Sequence, residues 1–338
     1  MPTPTRSSLS LFSDTRLLLL LYYYHYDDDD DDDLHRPLSL TTTTTRRHAG
    51  AAAALVEPAS KLLIAAGAAV GASVGSLFLR NHGTKQMLDR IDAAFPGSLT
   101  NDELIQRVTD RLKSSHQLDA SNTLLCTSFC RDELARGLER DLSKAFGGRH
   151  YTMGGLAGFP FGGITAFESM VSHIPLPKKD HSGSAALIVF APQVGVDAAG
   201  HLGTVNRQGR DESTAGPCSQ AAMAALKYVT TQGAKKVSVT SAQDAEYVLL
   251  CNALLPYAER LDQSEEPMVD LSYCLYDAQK EMMTNIVKKA CASIPQGSKV
   301  GLLGGVQINT PAGTTDYFIP LSFELYDNTG TMVDDLTL

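Results

Sequence analysis

The sequence predicts an α/β fold in which a mainly parallel sheet is flanked by helices. Two short apolar runs, at 123–129 and 186–190, have the length and continuity of strands that are buried on both faces. Segments with helical periodicity lie between the predicted strands, and such interleaving is typical of parallel sheets with helical crossovers. Near the end of the chain, apolar residues alternate over 317–325, which predicts a strand with one buried face.

The elements follow one another in a regular order after residue 84. A capping box at 100–103 opens an amphipathic helix, and its Thr and Glu are the residue types that close each other's backbone amides. The strand at 123–129 is followed by a helix that starts at Asp132. Further helices are predicted at 163–173, 218–230, 241–255 and 273–292, and further strands at 236–240 and 300–303.

The composition describes a globular protein without a surface for nucleic acid. The chain has 338 residues, of which 43% are hydrophobic and 20% are charged. The formal net charge is −9, and the aspartate run at 27–33 accounts for most of it. Because no basic stripe remains to bind phosphates, we expect no nucleic-acid partner. Six cysteines are too few for a disulfide scaffold of this length, which favours a reducing compartment.

The first part of the chain is unlike the rest. Residues 1–48 consist of low-complexity runs, which predict disorder or a targeting extension. Residues 49–83 are rich in Ala and Gly, and 62–79 carry no charge, with a glycine at every fourth position from Gly67 to Gly75. This apolar stretch has the length of a membrane anchor, and the competing interpretation is a removable organellar import signal. Residues 84–338 are then the folded domain.

Cys130 and Asp132 follow the predicted strand at 123–129. Residues two apart on an extended backbone point to the same side, so both side chains would face the space beyond the strand end. Ligands bind there in open α/β sheets. A sulfur next to a carboxylate suits a zinc site in which the carboxylate handles a water molecule. The competing interpretation is a buried thiol beside an aspartate that caps a helix.

Four other segments could contribute to the same crevice. The glycine-rich run 154–163 lacks the lysine of a phosphate-binding loop, and its Gly158, Phe159 and Phe161 suit the wall of a small apolar pocket. Cys218 lies at the start of a helix, where the positive end of the helix dipole favours the thiolate. The strand at 186–190 ends just before Gln193, and the segment 203–210 supplies two arginines.

These segments, taken together, resemble a known family. The blocks 130–133, 153–163, 194–197 with 203–207, and 304–310 followed by 316–318 are similar in order to the limiting-CO2-inducible protein B/C family of microalgae. The similarity covers roughly residues 85–330. It implies a β-carbonic-anhydrase-like fold, with zinc held by Cys, His and Cys and an aspartate paired with an arginine next to the metal.

Carried over by position, the resemblance assigns the site residues. Cys130 and Cys218 match the sulfur ligands, and Asp132 matches the dyad aspartate. Arg207 is the predicted dyad arginine, and Arg136 and Arg210 are the alternatives. The family's histidine ligand falls at Gln193, which is a departure. An amide oxygen is a poorer zinc ligand than imidazole.

Two hypotheses follow from this resemblance. The first is zinc-dependent, reversible hydration of CO2 to bicarbonate, with CO2 lying against Phe159 and Phe161. The second is a catalytically silent member that acts as a structural or regulatory subunit, and the residue at 193 motivates it. The resemblance further implies a homodimer or a hetero-oligomer with a related subunit, in the chloroplast or at another organelle membrane. A cysteine-nucleophile hydrolase is a third alternative, but the sequence offers no well-placed histidine base for it.

Overall fold

The computed structural model describes residues 83–176, 183–206, 213–215, 217–231, 235, 236, 238 and 242–338, with the side chains of 213–219 left out. The predictions for 1–48, for the apolar stretch 62–79 and for most of the strand at 236–240 lie outside these ranges. Within them, no helix combines the length and the apolar character needed to cross a membrane.

The helices within the described ranges are α1 (Lys85–Ala94), α2 (Asn101–His116), α3 (Arg136–Ala145), α4 (Gly163–Val171), α5 (Pro217–Thr231), α6 (Ala245–Leu254), α7 (Ala258–Asp262) and α8 (Pro267–Ala290). The strands are β1 (Leu99–Thr100), β2 (Thr123–Ser128), β3 (His150–Thr152), β4 (Ser184–Phe190), β5 (Gln193–Gly195), β6 (Thr204–Asn206), β7 (Ser213–Ala215), β8 (Ser298–Asn309), β9 (Tyr317–Tyr326) and β10 (Met332–Asp335).

The main sheet has the strand order β1-β9-β8-β4-β2-β3, with β5 paired to β8 and β10 paired to β9. The pairs β3–β2, β2–β4, β4–β8 and β5–β8 are parallel. The other side of the sheet is antiparallel, because β9 pairs in that sense with β8, β1 and β10. The predicted α/β fold with a mainly parallel sheet and flanking helices is therefore confirmed, with an antiparallel edge added to it.

Helices cover both faces of the parallel strands. One face packs against α1, α4 and α8, in a cluster that includes Met87, Phe167 and Met283. The opposite face packs against α2 and α3, through residues such as Leu104 and Leu138. This two-sided burial explains why β2 and β4 are buried at every position and contain no alternation of polar residues.

The start of α2 has the expected capping box. The Thr100 side chain accepts from the backbone amide of Glu103, and the Glu103 carboxylate accepts from the Thr100 amide. The helix predicted from Asp132 begins as a 3₁₀ turn, Glu133–Ala135, and continues as α3. Six of the described strands, each of two to four residues, were not predicted, namely β1, β3, β5, β6, β7 and β10. Of these, β3 and β5 are specified by the main sheet through pairing with β2 and β8.

Candidate metal and acid–base site

Asp132 lies at the carboxyl end of β2, where the chain turns into α3. Its side chain is 5% exposed, and its Oδ1 accepts a hydrogen bond of 3.1 Å from the backbone amide of Leu134. Cys130, two residues earlier, is completely buried. The sequence thus places a thiol position and an N-capping carboxylate together at the sheet edge where parallel strands end. The hydrogen bond confirms the helix-cap interpretation of Asp132, and its role as a site carboxylate stays a prediction.

Gln193 meets Asp132 across the sheet. It is the first residue of β5, and its Nε2 donates a hydrogen bond of 2.9 Å to Asp132 Oδ2. Each carboxylate oxygen therefore accepts a hydrogen bond from the protein. The Gln193 side chain is 8% exposed, and its Oε1 is buried without a hydrogen-bond partner. An unsatisfied buried acceptor next to a carboxylate is a position where a cation or a donor would be stabilised.

The cysteines divide into two groups. The sulfur of Cys130 is in a disulfide bond, whereas Cys126, Cys251, Cys274 and Cys291 have free thiols. Burial raises the pKa of Cys274 to about 11, which is typical of a thiol that packs in the core and does not react. Cys218 falls in the first turn of α5, and its side chain lies outside the described residues.

Three predicted ligands are thus placed differently. Cys130 is buried in the site, and Gln193 turns an unpartnered oxygen away from Asp132. Among the side chains that the structure describes, no three His, Cys, Asp or Glu residues form a metal-sized cluster. Gln193 is not one of these four residue types, and the Cys218 side chain lies outside the described residues. The predicted ligand set therefore stays a prediction. A sulfur close enough to bond to Cys130 is also close enough to share a metal with it after reduction.

The glycine-rich loop packs closely against the ends of β2 and β4. Gly158 has φ +81°, and a Cβ there would lie 2.5 Å from the carbonyl oxygen of Ala191, just past β4. Its own carbonyl accepts a hydrogen bond of 2.8 Å from Ser128 Oγ at the end of β2. Gln279 of α8 donates to the Ala157 carbonyl at 2.6 Å and holds that residue at a positive φ of 54°. The predicted Gly158 is therefore a close-approach position that only glycine fits.

Phe159 and Phe161 form an apolar wall next to this loop. Their rings stack with centroids 5.3 Å apart, and Phe159 is completely buried. Phe159 packs in the cluster that contains Ala222 and Ala225 of α5, the helix that carries Cys218. Phe161 packs against the same cluster and also lines a cavity of about 570 Å³ between the start of α4 and helices α6 and α8.

The candidate arginines cannot all serve the site. Arg136 forms an ion pair with Glu139, one turn further along α3. Glu139 also accepts a hydrogen bond of 2.6 Å from Thr127. Burial raises the pKa of Glu139, but these hydrogen bonds and the Arg136 charge outweigh it, so the pKa lies below its usual value. The described partner of Arg136 is thus Glu139. Arg207 and Arg210 lie outside the described residues, so the dyad arginine stays a prediction.

Two residues near the site were missed from the sequence. Asn309, the last residue of β8, donates a hydrogen bond of 3.1 Å to the Leu134 carbonyl. Gln307 is completely buried on the same strand, and neither its Nε2 nor its Oε1 has a hydrogen-bond partner. The available signal was a pair of amide side chains inside an otherwise apolar strand, where burial of a polar group needs a reason.

Comparisons with known proteins give one result. Residues 98–327 match the family model of limiting CO2-inducible proteins B/C, β-carbonic anhydrases. The crystal structure of PtLCIB4, a homolog of the limiting CO2-inducible protein LCIB, is 40% identical, and the match covers 73% of this chain and 99% of that chain with a TM-score of 0.67. A histidine-to-alanine mutant of PtLCIB4 is 38% identical, covering 74% and 98%, again with a TM-score of 0.67.

The crystal structure of LCIB is more distant. It is 18% identical, and the match covers 72% of this chain and 96% of that chain with a TM-score of 0.55, which supports the fold alone. A search of curated protein sequences finds no match to this chain. The family match begins just before β1 and ends just after β9, so it includes Asp132, Gln193 and the glycine-rich loop.

Proposed function

Since this chain belongs to the limiting CO2-inducible protein B/C family of β-carbonic anhydrases, we propose that it handles CO2 by reversible, zinc-dependent hydration to bicarbonate. The observation that carries the proposal is the pair formed by Asp132 and Gln193, in which a buried carboxylate is held by two hydrogen bonds next to an unpartnered amide oxygen. Because most buried acceptors in native proteins have a partner, the unpartnered oxygen beside a carboxylate supports a ligand at this position.

Zinc would be held by sulfur from Cys130 and Cys218 and by the Gln193 amide oxygen. Two observations support this ligand set: the sulfur of Cys130 lies against another sulfur, and Gln193 Oε1 is buried without a partner. Thiolates are the ligands that zinc prefers, so the disulfide must be reduced before metal can bind. When bound, zinc supplies the Lewis acidity that makes water a nucleophile near neutral pH.

Asp132 would then orient the reacting water. Its oxygens accept from Leu134 and Gln193, and an ionised carboxylate has lone pairs left to accept a further hydrogen bond from water. The same two bonds keep the carboxylate from turning onto the metal, where it would close the open coordination position. Arg207 would complete the dyad, and the stacked rings of Phe159 and Phe161 would bound the apolar space for CO2.

The test measures metal and activity on the same full-length sample. The protein is reduced, supplied with zinc and dialysed, and then assayed for bound zinc and for CO2 hydration by stopped-flow. We expect about one zinc per chain, as for a single catalytic site, and hydration above the buffer rate. Cys130→Ala should lose both zinc and activity, whereas Cys126→Ala, which alters a buried free thiol of the same strand region, should keep both. Zinc-loaded protein that hydrates CO2 no faster than buffer would refute the proposal.

A second candidate function rests on the residue at 193. Glutamine stands where the family is expected to have histidine, and its amide nitrogen is engaged by Asp132. A silent member could act as a structural or regulatory subunit, alone as a homodimer or with a related chain. Gln193→His decides between the two functions. If the unaltered protein is inactive and this variant gains zinc and activity, the silent subunit is the correct description, and sedimentation with and without a related chain then identifies the assembly.

A further inference from the structure

The amide of Gln307 forms no hydrogen bond with the described protein. It is completely buried in β8, yet neither atom of its amide forms a hydrogen bond, and no other buried amide side chain in the described part of the protein leaves both atoms unpartnered. A buried polar group without a partner costs about 1–3 kcal/mol. Buried amides in native proteins are therefore expected to meet water or a ligand.

The position of Gln307 is next to the candidate site. In the parallel pair β5–β8, Gln307 is in register with Gln193, and paired residues of neighbouring strands point to the same face. The next residue on each strand, Val194 on β5 and Ile308 on β8, points to the opposite face, into the apolar cluster with α8. Gln193 and Gln307 therefore share the face on which Asp132 lies.

Two amides from adjacent strands thus lie side by side in the sheet. Gln193 Oε1 is unpartnered, Gln307 Nε2 and Oε1 are unpartnered, and no hydrogen bond joins the two side chains. Asn309, two residues after Gln307, reaches the Leu134 carbonyl above the same face. The unpartnered amide atoms are therefore carried by β5 and β8, next to the turn that carries Asp132.

The chemistry of the Gln307 amide restricts which ligands can form hydrogen bonds with both of its atoms. A primary amide donates through nitrogen and accepts through oxygen, so it is complementary to a planar group that has both an oxygen acceptor and an O–H donor. Bicarbonate has such a face, since its C–O oxygen and its hydroxyl lie side by side. Nitrate has the same planar shape but no hydroxyl, and CO2 has no proton to donate.

We propose that the Gln307 amide binds bicarbonate, donating from Nε2 to a carbonate oxygen and accepting the bicarbonate hydroxyl at Oε1. This assignment rests on the proposed function for the identity of the ligand, although the binding itself does not require turnover. It makes Gln307 a residue that selects the protonated anion over oxyanions of equal size and charge.

The test compares Gln307→Met with the unaltered full-length protein after reduction and zinc loading. Methionine has a similar length and volume and cannot form the two hydrogen bonds. Binding of carbon-13-labelled bicarbonate is followed by NMR line broadening, with nitrate titrated separately. We expect bicarbonate affinity to fall on the order of tenfold and nitrate affinity to fall less, because nitrate loses only the contact with Nε2 whereas bicarbonate also loses the contact of its hydroxyl with Oε1. Urea unfolding should show that the variant is at least as stable as the unaltered protein, since an unsatisfied amide has been removed.

The control and the contradicting outcomes are equally specific. Gln106→Met changes an exposed glutamine of α2 and should leave both affinities unchanged. If Gln307→Met binds bicarbonate as the unaltered protein does, the amide is not a ligand. If it binds normally but is less stable, the amide holds a structural water and the proposal is wrong. If both anions weaken equally, the site does not read the hydroxyl. Gln307→Leu provides the same comparison if the methionine variant does not fold.

Failure of the proposed function gives a different pattern. Protein that binds bicarbonate through Gln307 but does not hydrate CO2 leaves this inference intact and refutes catalysis. Protein that hydrates CO2 with unchanged bicarbonate affinity in Gln307→Met leaves catalysis intact and refutes the inference. Unaltered protein that binds no bicarbonate overturns the assignment of Gln307 directly.

Discussion

Replacing Asp316 by asparagine should stabilise the protein, and the gain should grow as the pH rises. Burial raises the pKa of Asp316 from 3.8 to about 6, against hydrogen bonds from Thr310 and Asn309 that lower it. The carboxylate accepts from the Thr310 amide at 2.8 Å and from its hydroxyl at 3.2 Å. An asparagine oxygen can accept the same two bonds, so the substitution removes the charge and keeps both contacts with Thr310.

The magnitude follows from the size of the pKa shift. A rise of about two units corresponds to about 3 kcal/mol between the two protonation states. Because Asp316 is only half-buried in the structure, solvent screens part of this cost, and we expect a gain of about 1–2 kcal/mol. Below pH 3.8 both the folded and the unfolded chain hold the proton, so the charge costs nothing. Between pH 3.8 and about 6 only the unfolded chain has released it, and stability falls with rising pH.

The assay is urea unfolding of Asp316→Asn and the unaltered protein at several values between about pH 4.5 and about pH 8, a range that spans the shift. The difference in unfolding free energy should grow up to about pH 6 and then stay constant. Asp327→Asn is the control, because hydrogen bonds from Thr329 lower the pKa of that exposed carboxyl. Its variant should be less stable by a constant amount over the same range. An Asp316→Asn advantage that does not change with pH would refute burial as the cause.

Four further substitutions have expected outcomes. Gly154→Ala should destabilise the fold by about 3 kcal/mol, because its Cβ would lie 1.9 Å from a backbone carbonyl just past β2. Gly137→Ala on α3 meets nothing closer than 3.6 Å and should stabilise the fold by about 0.5–1 kcal/mol. Thermal unfolding of the two variants distinguishes these opposite effects. Glu139→Gln should lower the free energy of unfolding by about 1–3 kcal/mol near neutral pH. The loss should become smaller in acid, because the unaltered carboxyl, whose pKa is lowered, then takes up its proton. Unfolding free energies of both proteins measured over the same pH range would show this. Gln279→Met should release the glycine-rich loop by removing a 2.6 Å hydrogen bond, and faster amide exchange confined to that loop is the expected readout.

The strands that organise this fold could be predicted because their apolar residues are local signals. β2 and β4 are continuous apolar runs, and β9 alternates. β3 could not be predicted, since its three residues include two exposed ones and owe their conformation to pairing with β2. β5 is similar, because β8 holds it in register and nothing in its own three residues indicates a strand.

The site was predictable in its types of residue and less so in its contacts. Cys130 and Asp132 were identified because strand geometry places them on one side, and Gln193 was assigned because the histidine ligand of the family that the sequence resembles falls at that position. The bond from Gln193 to Asp132 required the register of β5 on β8, which involves strands more than 100 residues apart. Gln307 escaped notice because its significance lies in the hydrogen bonds that it lacks, and only coordinates reveal those.

The hydrogen bond between Asp132 and Gln193 also has a consequence for how this sequence can diverge. The two residues are 61 positions apart, and one side chain fixes the other. Losing the carboxylate leaves a second amide atom buried and unsatisfied, and losing the amide frees the carboxylate to rotate. A substitution at one position therefore changes which substitutions are tolerated at the other. We expect positions 132 and 193 to vary together among related proteins, as one inherited pair, whichever residue occupies the second of them.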